Sequence, residues 1–408
     1  MCWQGTAISI TMPVPAGMPP VEAPVDLLLT GLLGFVALGW MVQTLWSATG
    51  VRRIPHLEDT EPLAPEDCPS VSILVAARDE AKRLPRALAT LLAQDHPDYE
   101  VIAVDDRSAD GTGEILRRAQ EQDKRLQVVR VEDLPPGWLG KPHALQQAFE
   151  RCRGEWLVFT DADVRFAPDV LRRALAMAQR GKQDHLTLFG AVDMVGFWEK
   201  VVLPFFGMGL ILYCQAWRVG NPRSRAYCGV GSFQLIRRST YEAIGTHRRL
   251  AMEVVDDMKL GKLVKDGGFR SGVGAAQRSI AVRWQEGFGN VIRGTTKNLF
   301  AGAGFSLWRA LGQMILLLAF NVLPFAALPF TSGIQLVLAA SSAVLGVTLL
   351  GAWARAADIS PLYGLTLPLG GSILCYMLAR STVVTLVQGG VRWRDTFYSL
   401  EDVRKGQV

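Results

Sequence analysis

The chain has 408 residues, 49% of them hydrophobic and 20% charged, with a formal net charge of +5. So weak and dispersed a positive balance argues against a nucleic-acid partner, and six cysteines without a CxxC pair argue against a zinc or disulfide framework. The apolar residues are clumped near the N-terminus and through the last quarter, around a middle of ordinary soluble composition, as in a membrane protein carrying a globular domain.

Residues 1–24, with Pro13, Pro15, Pro19, Pro20 and Pro24, read as a short disordered tail. The run VDLLLTGLLGFVALGWMVQTLWSA (25–48) is long enough to cross a hydrocarbon core of roughly 30 Å. No basic segment precedes it and it exceeds a signal-peptide h-region, so a retained anchor over 25–50 is expected. Glu22 and Asp26 flank its start and Arg52 and Arg53 follow it, which places what comes next in the cytosol. Residues 51–70 form a linker, acidic and proline-rich from 54. Strands are expected at VSILVAA (71–77), YEVIAVDD (99–106), LQVVRV (126–131) and EWLVFTDAD (155–163), with helical spacing between them. That alternation predicts an α/β, doubly wound, mostly parallel sheet over 71–300. FFGMGLILY, within 200–219, fits an interfacial helix or a buried core helix. Three more apolar runs, 308–330, 333–353 and 361–388, fill a C-terminal membrane region (301–390), and a basic tail (391–408) follows. Four full spans would put that tail outside, against its charge, so one of the three runs is expected not to span fully.

Doubly wound sheets bind ligands beyond the carboxyl ends of their strands. Asp105 and Asp106 close the second strand, and Asp161 and Asp163 close the fourth. Without a G-x-G-x-x-G after the first strand, the pattern does not support a dinucleotide. Carboxylates gathered in one crevice repel unless a cation lies between them, and Mg2+ or Mn2+ shared with substrate phosphates suits that placement. An acid pair can also merely turn the chain or cap a helix, but two pairs on successive strands favour the metal–nucleotide reading. Asp256 and Asp257 begin a helical stretch; the helix dipole favours acids there, and so does a role as general base. Lys141, and Arg283 with Trp284, are candidates for phosphate and ring contacts, although a basic–aromatic pair near a membrane also serves as an interfacial anchor.

The ordered set VSILVAARDE, QDHPDYEVIAVDDRSADGT, PPGWLGKPHAL, FTDADVRFAPD, VVDDMKLG and RWQEG resembles family 2 glycosyltransferases, the inverting, metal-dependent enzymes of GT-A fold. PPGWLGKPHAL, WEKVVLPFF, the apolar runs and the tail VRWRDTFY are similar to a narrower lipid-glycosylating group, the ceramide glucosyltransferases and hopanoid- or carotenoid-associated enzymes. The resemblance implies a cytosolic catalytic domain on the inner (cytoplasmic) membrane and a nucleotide-diphosphate sugar donor, with UDP and glucose or N-acetylglucosamine as the expected kind. A lipid hydroxyl is the implied acceptor. Asp106, Ala77, Arg78 and Glu80 would line the nucleotide pocket, with Lys141 against the donor. Asp161 and Asp163 would bind donor and Mg2+ or Mn2+, Asp257 would be the general base, and Arg283 with Trp284 would hold the diphosphate. Two positions depart from the family pattern: Asp256 replaces a glutamate, and Ile280 stands where Gln or Arg is expected three residues before Arg283. A processive polysaccharide synthase would need more spans than four apolar runs supply. An inactive nucleotide-sugar-binding scaffold would not need all three acidic clusters.

Overall fold

A computed structural model describes residues 22–408, so nearly all of the proline-rich segment lies outside the described residues. Four strands, β1 (Val71–Ala77), β2 (Tyr99–Asp106), β3 (Leu126–Val131) and β4 (Trp156–Asp161), pair in parallel in the order β3-β2-β1-β4. The sheet continues with β5 (Val164–Phe166), β6 (His185–Val192), β7 (Gln234–Arg237) and β8 (Ser271–Val282), in the full order β3-β2-β1-β4-β7-β6-β8-β5. Only β5 and β7 run against the others. The fourth strand is shorter than expected: it ends at Asp161, and the chain turns through Ala162 and Asp163 into β5.

Both faces of this sheet are covered, which explains why its strands read as unbroken apolar runs. Val71, Ile73, Val75 and Ala77 of β1 face the helices Leu84–Leu92, Thr112–Gln122 and Val170–Arg180. Leu74 faces the other layer, where Ala144, Leu145, Leu260 and Leu263 come from the helices Gly140–Phe149 and Asp256–Asp266. The chain winds from β1 through β2 to β3 on one side, then crosses from β3 to β4 on the other side of β1. A crevice therefore opens at the carboxyl ends of these strands.

Among the described residues, four helical stretches are long and apolar enough to cross a membrane: Val25–Arg53, Phe197–Arg218, Gly333–Ala356 and Pro361–Gln388. The pair Leu307–Asn321 and Leu323–Phe330 passes only jointly and is bent by 49° at Val322, ahead of Pro324. Gly333–Ala356 lies alongside the first helix and runs the same way: Gln335 donates to Thr30 Oγ1 at 3.1 Å, and Gly346 sits against Trp40. Trp40 in turn donates to the Phe320 carbonyl at 2.9 Å. The last stretch doubles back at once. Gly364 packs on Val347 and Gly351, Leu367 lies at Gly346, and by Leu378 the helix is among Leu139 and Phe300 of the domain.

The helix Phe197–Cys214 leaves from β6 and returns towards β7, neighbours in one sheet, so it cannot carry the chain across a bilayer. One of its ends is fixed by Arg283. At the other end Cys214 meets Met258, and Trp217 meets Trp46 of the first helix. Past Gln388, β9 (Gly390–Trp393) and β10 (Thr396–Ser399) form a hairpin that packs back on the domain, Tyr398 lying in one cluster with Leu139 and Val254.

Candidate active site

The crevice gathers acids because each sits where its strand or helix ends. Asp161 is the last residue of β4, and its N–H donates to the Gly231 carbonyl at 2.9 Å. A Cβ on Gly231 would stand 2.5 Å from an Asp161 carboxylate oxygen, so only glycine allows that loop to pass so close. Gly140 plays the same part at Asp106, where a Cβ would come within 2.3 Å. Gly140 opens the helix that carries Lys141, and Lys141 Nζ donates to Asp161 Oδ1 at 2.6 Å and stands 3.9 Å from Asp256 Oδ2. Asp256 and Asp257 are the first two residues of their helix, and Asp257 accepts from the Met258 N–H at 2.8 Å.

Charge in this cluster is unevenly balanced. Burial pushes the Asp163 carboxyl up to about 7, helped by the neighbouring charges of Asp161 and Glu80, and Arg83 at 3.4 Å only partly offsets them. Burial also pushes Asp256 up; Lys141 opposes this and Asp257 adds to it. Lys141 itself stays charged: burial disfavours its cation, but Asp161, Asp256 and Asp257 more than compensate. Behind Asp256, burial holds His247 down at about 3, so its 3.9 Å approach to Asp256 is not an ion pair. His247 Nδ1 is hydrogen-bonded instead to the Tyr241 hydroxyl at 2.5 Å, a buried brace for the helix start.

The residues expected at a nucleotide pocket lie close together. Arg107 forks onto Asp106 at 2.8 and 3.2 Å, Arg78 approaches Asp106 at 4.0 Å, and Ala77 ends β1 beside them. The loop after β1 is pinned through Asp79, whose N–H donates to Ser108, and Glu80, whose N–H donates to Thr112. Arg283 and Trp284 do not hydrogen-bond to this cluster. The Arg283 guanidinium grips Glu199 at 2.7 and 2.9 Å and the Asp193 carbonyl at 2.6 Å, while Trp284 stacks on Phe206. Ile280, the departure noted above, is a buried residue of β8 paired with Phe166, a position that an apolar side chain fills without cost.

Sequence reasoning passed over four contributors. Arg83 and Lys82 both pair with Glu286, at 3.4 and 3.0 Å, tying the β1 loop to the segment after β8. Lys297, whose amine burial and Lys141 push down to about 8, lies 3.7 Å from the centre of the Trp393 ring. Arg394 donates to Glu80 at 2.9 Å. Of these only Arg394 lies in a motif, the tail VRWRDTFY, whose place in the fold cannot be read from spacing.

Residues 72–245 match the model of the family "Glycosyl transferase family 2". The 4,4'-diaponeurosporenoate glycosyltransferase of Staphylococcus haemolyticus is 24% identical over 245 residues, 58% of this chain and 63% of the relative. The beta-monoglucosyldiacylglycerol synthase of Trichormus variabilis is 30% identical over 185 residues, 43% of this chain and 37% of that one. The chain thus spans less than two thirds of the length of these relatives. Among solved structures, a mannosyltransferase from Pyrobaculum calidifontis, in complex with GDP-Man and Mn2+, superimposes with a TM-score of 0.53 at 19% identity. The match covers 88% of this chain and 99% of that one, and it is a likeness of fold. With its mixed sheet and its acids at the strand ends, the segment 72–245 is a domain of glycosyltransferase type, similar to glycosyl transferase family 2.

Proposed function

We propose that this protein moves one sugar from a nucleotide-diphosphate donor to the hydroxyl of a membrane lipid, with inversion at the anomeric carbon. The observation that carries the reading is the acid cluster of Asp161, Asp163, Asp256 and Asp257, on a domain whose Phe197–Cys214 helix lies against apolar membrane-length helices. Relatives named for a carotenoid-type acid and for a diacylglycerol lipid support a lipid acceptor. The GDP-Man and Mn2+ named with the Pyrobaculum structure support a nucleotide sugar and a divalent cation.

Asp106, Arg78 and Ala77 would take the nucleoside, and Glu80 lies at the same pocket. The crowded carboxylates of Asp161 and Asp163 fit a divalent cation, because such an ion would offset the burial, and the repulsion from Asp161 and Glu80, that raise Asp163. Among the described residues no three acid, histidine or cysteine side chains surround one point, which suits an ion that shares its coordination with donor phosphates. When bound, Mg2+ or Mn2+ would neutralise charge on the departing diphosphate. Asp257 would take the acceptor proton as the acceptor oxygen bonds to the anomeric carbon and the bond to the diphosphate breaks. Lys141 would hold Asp161 and Asp256 in place.

The packing also supports a topology. The bent pair 307–330 would run outward from the domain, and Gly333–Ala356 would return beside the first helix. The last stretch would enter only partway, to the depth of Trp40, and leave on the domain side. An even number of crossings keeps the basic tail with the domain, in the cytosol if Arg52 and Arg53 set the orientation. The run that fails to span is then the last one, not the proline-bent one.

The test uses membranes holding the wild type or Asp257→Asn, supplied with radiolabelled nucleotide sugars and Mn2+ or Mg2+. Label in an organic extract that depends on both metal and Asp257 is the expected result. No label from any donor with native lipids present, while nucleotide still binds, would instead make the domain a scaffold.

A further inference from the structure

The C-terminal hairpin takes no part in the steps above, yet its turn reaches the nucleotide pocket. Trp393 pairs with Thr396, so Arg394 and Asp395 form a two-residue loop. Such loops favour Asn-Gly or Asp-Gly, because the first central residue needs positive φ. Arg394 has φ 54, a strained conformation for a residue with a Cβ. Turn chemistry alone would not choose these two residues, but both side chains have partners on the loop after β1. Arg394 donates to Glu80 at 2.9 Å, and Arg78 donates to Asp395 at 3.2 Å.

Glu80 is close enough to Asp161 and Asp163 for the three carboxylates to feel one another. Arg394 is therefore one side chain away from the expected metal carboxylates. Its own side chain is 41% exposed, so the guanidinium can move with the turn. Arg283, the arginine expected on the diphosphate, is committed to Glu199 and the Asp193 carbonyl.

We propose that Arg394 is a donor-binding residue: when a nucleotide diphosphate enters, its guanidinium leaves Glu80 for the β-phosphate, and the hairpin closes over the donor. This rests on the nucleotide-diphosphate reading above. The planar fork of arginine matches two phosphate oxygens, and a diphosphate offers more negative charge than the single carboxylate it replaces. Trp393, with the Lys297 amine 3.7 Å from its ring centre, ties the same turn to the segment after the helix Phe288–Thr295. Lys297 already lies among the charges of Lys141, Asp256, Asp257 and Asp161, so the turn is linked to the acid cluster from that side too.

The experiment compares the full-length wild type, Arg394→Ala and Arg394→Lys in detergent micelles. Each is titrated calorimetrically with UDP and GDP in the presence of Mn2+, and with UMP and GMP. Arg394→Ala is expected to weaken the diphosphate that binds the wild type about tenfold to a hundredfold, with monophosphate affinity unchanged and Arg394→Lys recovering part of the loss. In the wild type, that diphosphate with Mn2+ should also protect the bond after Arg394 from trypsin. Wild-type affinity for the diphosphate in Arg394→Ala would overturn the proposal, as would equal losses for mono- and diphosphate. Should the wild type bind neither diphosphate, the donor reading itself fails and takes this one with it.

Discussion

Two arginine–glutamate pairs flank the crevice, and they are built to opposite ends. At the start of the helix Phe197–Cys214, Glu199 accepts two bonds from Arg283 and further bonds from the N–H groups of Val195, Gly196 and Gly287. Despite burial, those donors hold Glu199 down at about 2. On the hairpin side Glu80 accepts one bond from an arginine that is 41% exposed, and burial pushes its carboxyl up. A saturated carboxylate is a structural pin, whereas an under-satisfied one beside other acids is poised to exchange partners. The difference separates what fixes the domain against its apolar helices from what can respond to a ligand.

The comparison can be broken most sharply in the crevice. Asp257→Asn should lower transfer by about 10²- to 10⁴-fold, as loss of a general base does, while the melting temperature stays near wild type. A melting temperature that collapsed with the activity would make Asp257 a structural cap instead. Glu199→Ala should do the reverse. With a half-buried arginine stripped of its carboxylate partner and three N–H groups left unpaired, it should cost about 3 kcal/mol of stability, measured by denaturant unfolding in micelles.

The next effect is a pH dependence. Asp163 is raised to about 7, so its contribution to stability is fully present below the unfolded value of 3.8 and is lost as pH rises through 7. A divalent cation relieves that loss, so Mn2+ should raise the melting temperature more at pH 8 than at pH 5. Near pH 6 its binding should also release protons, which calorimetry in two buffers of different ionisation enthalpy would reveal. Equal stabilisation at both pH values would remove Asp163 from the metal site. The smallest effect is expected for Glu80→Gln, within about 1 kcal/mol of wild type in stability because its arginine is a partly exposed partner. A loss as large as that of Glu199→Ala would erase the distinction between the two pairs.

Much of the fold was legible because its signals are local. Buried parallel strands read as apolar β-branched runs, and an acid after each run marks a strand end whatever the packing. Strands β1 to β3 accordingly stand where their residues predict them. Asp161 and Lys141, and Asp106 and Arg78, stand out as candidates in the sequence, and the fold brings each pair together. Arg283 was legible only as a motif, and the motif carries no information about Glu199, which lies 84 residues earlier in the chain.

By itself, then, the sequence determined the alternating sheet, the acids at its strand ends and the apolar helices, since period, composition and chain position are properties of neighbouring residues. Tertiary structure alone decided three further matters: which arginine faces the acids, which apolar run turns back, and where the tail lies. Each depends on contacts between distant segments, such as Leu367 with Gly346 or Arg394 with Glu80. Contacts of that kind form only where packing and charge pairing repay the entropy of closing a long loop, and no local pattern records that balance.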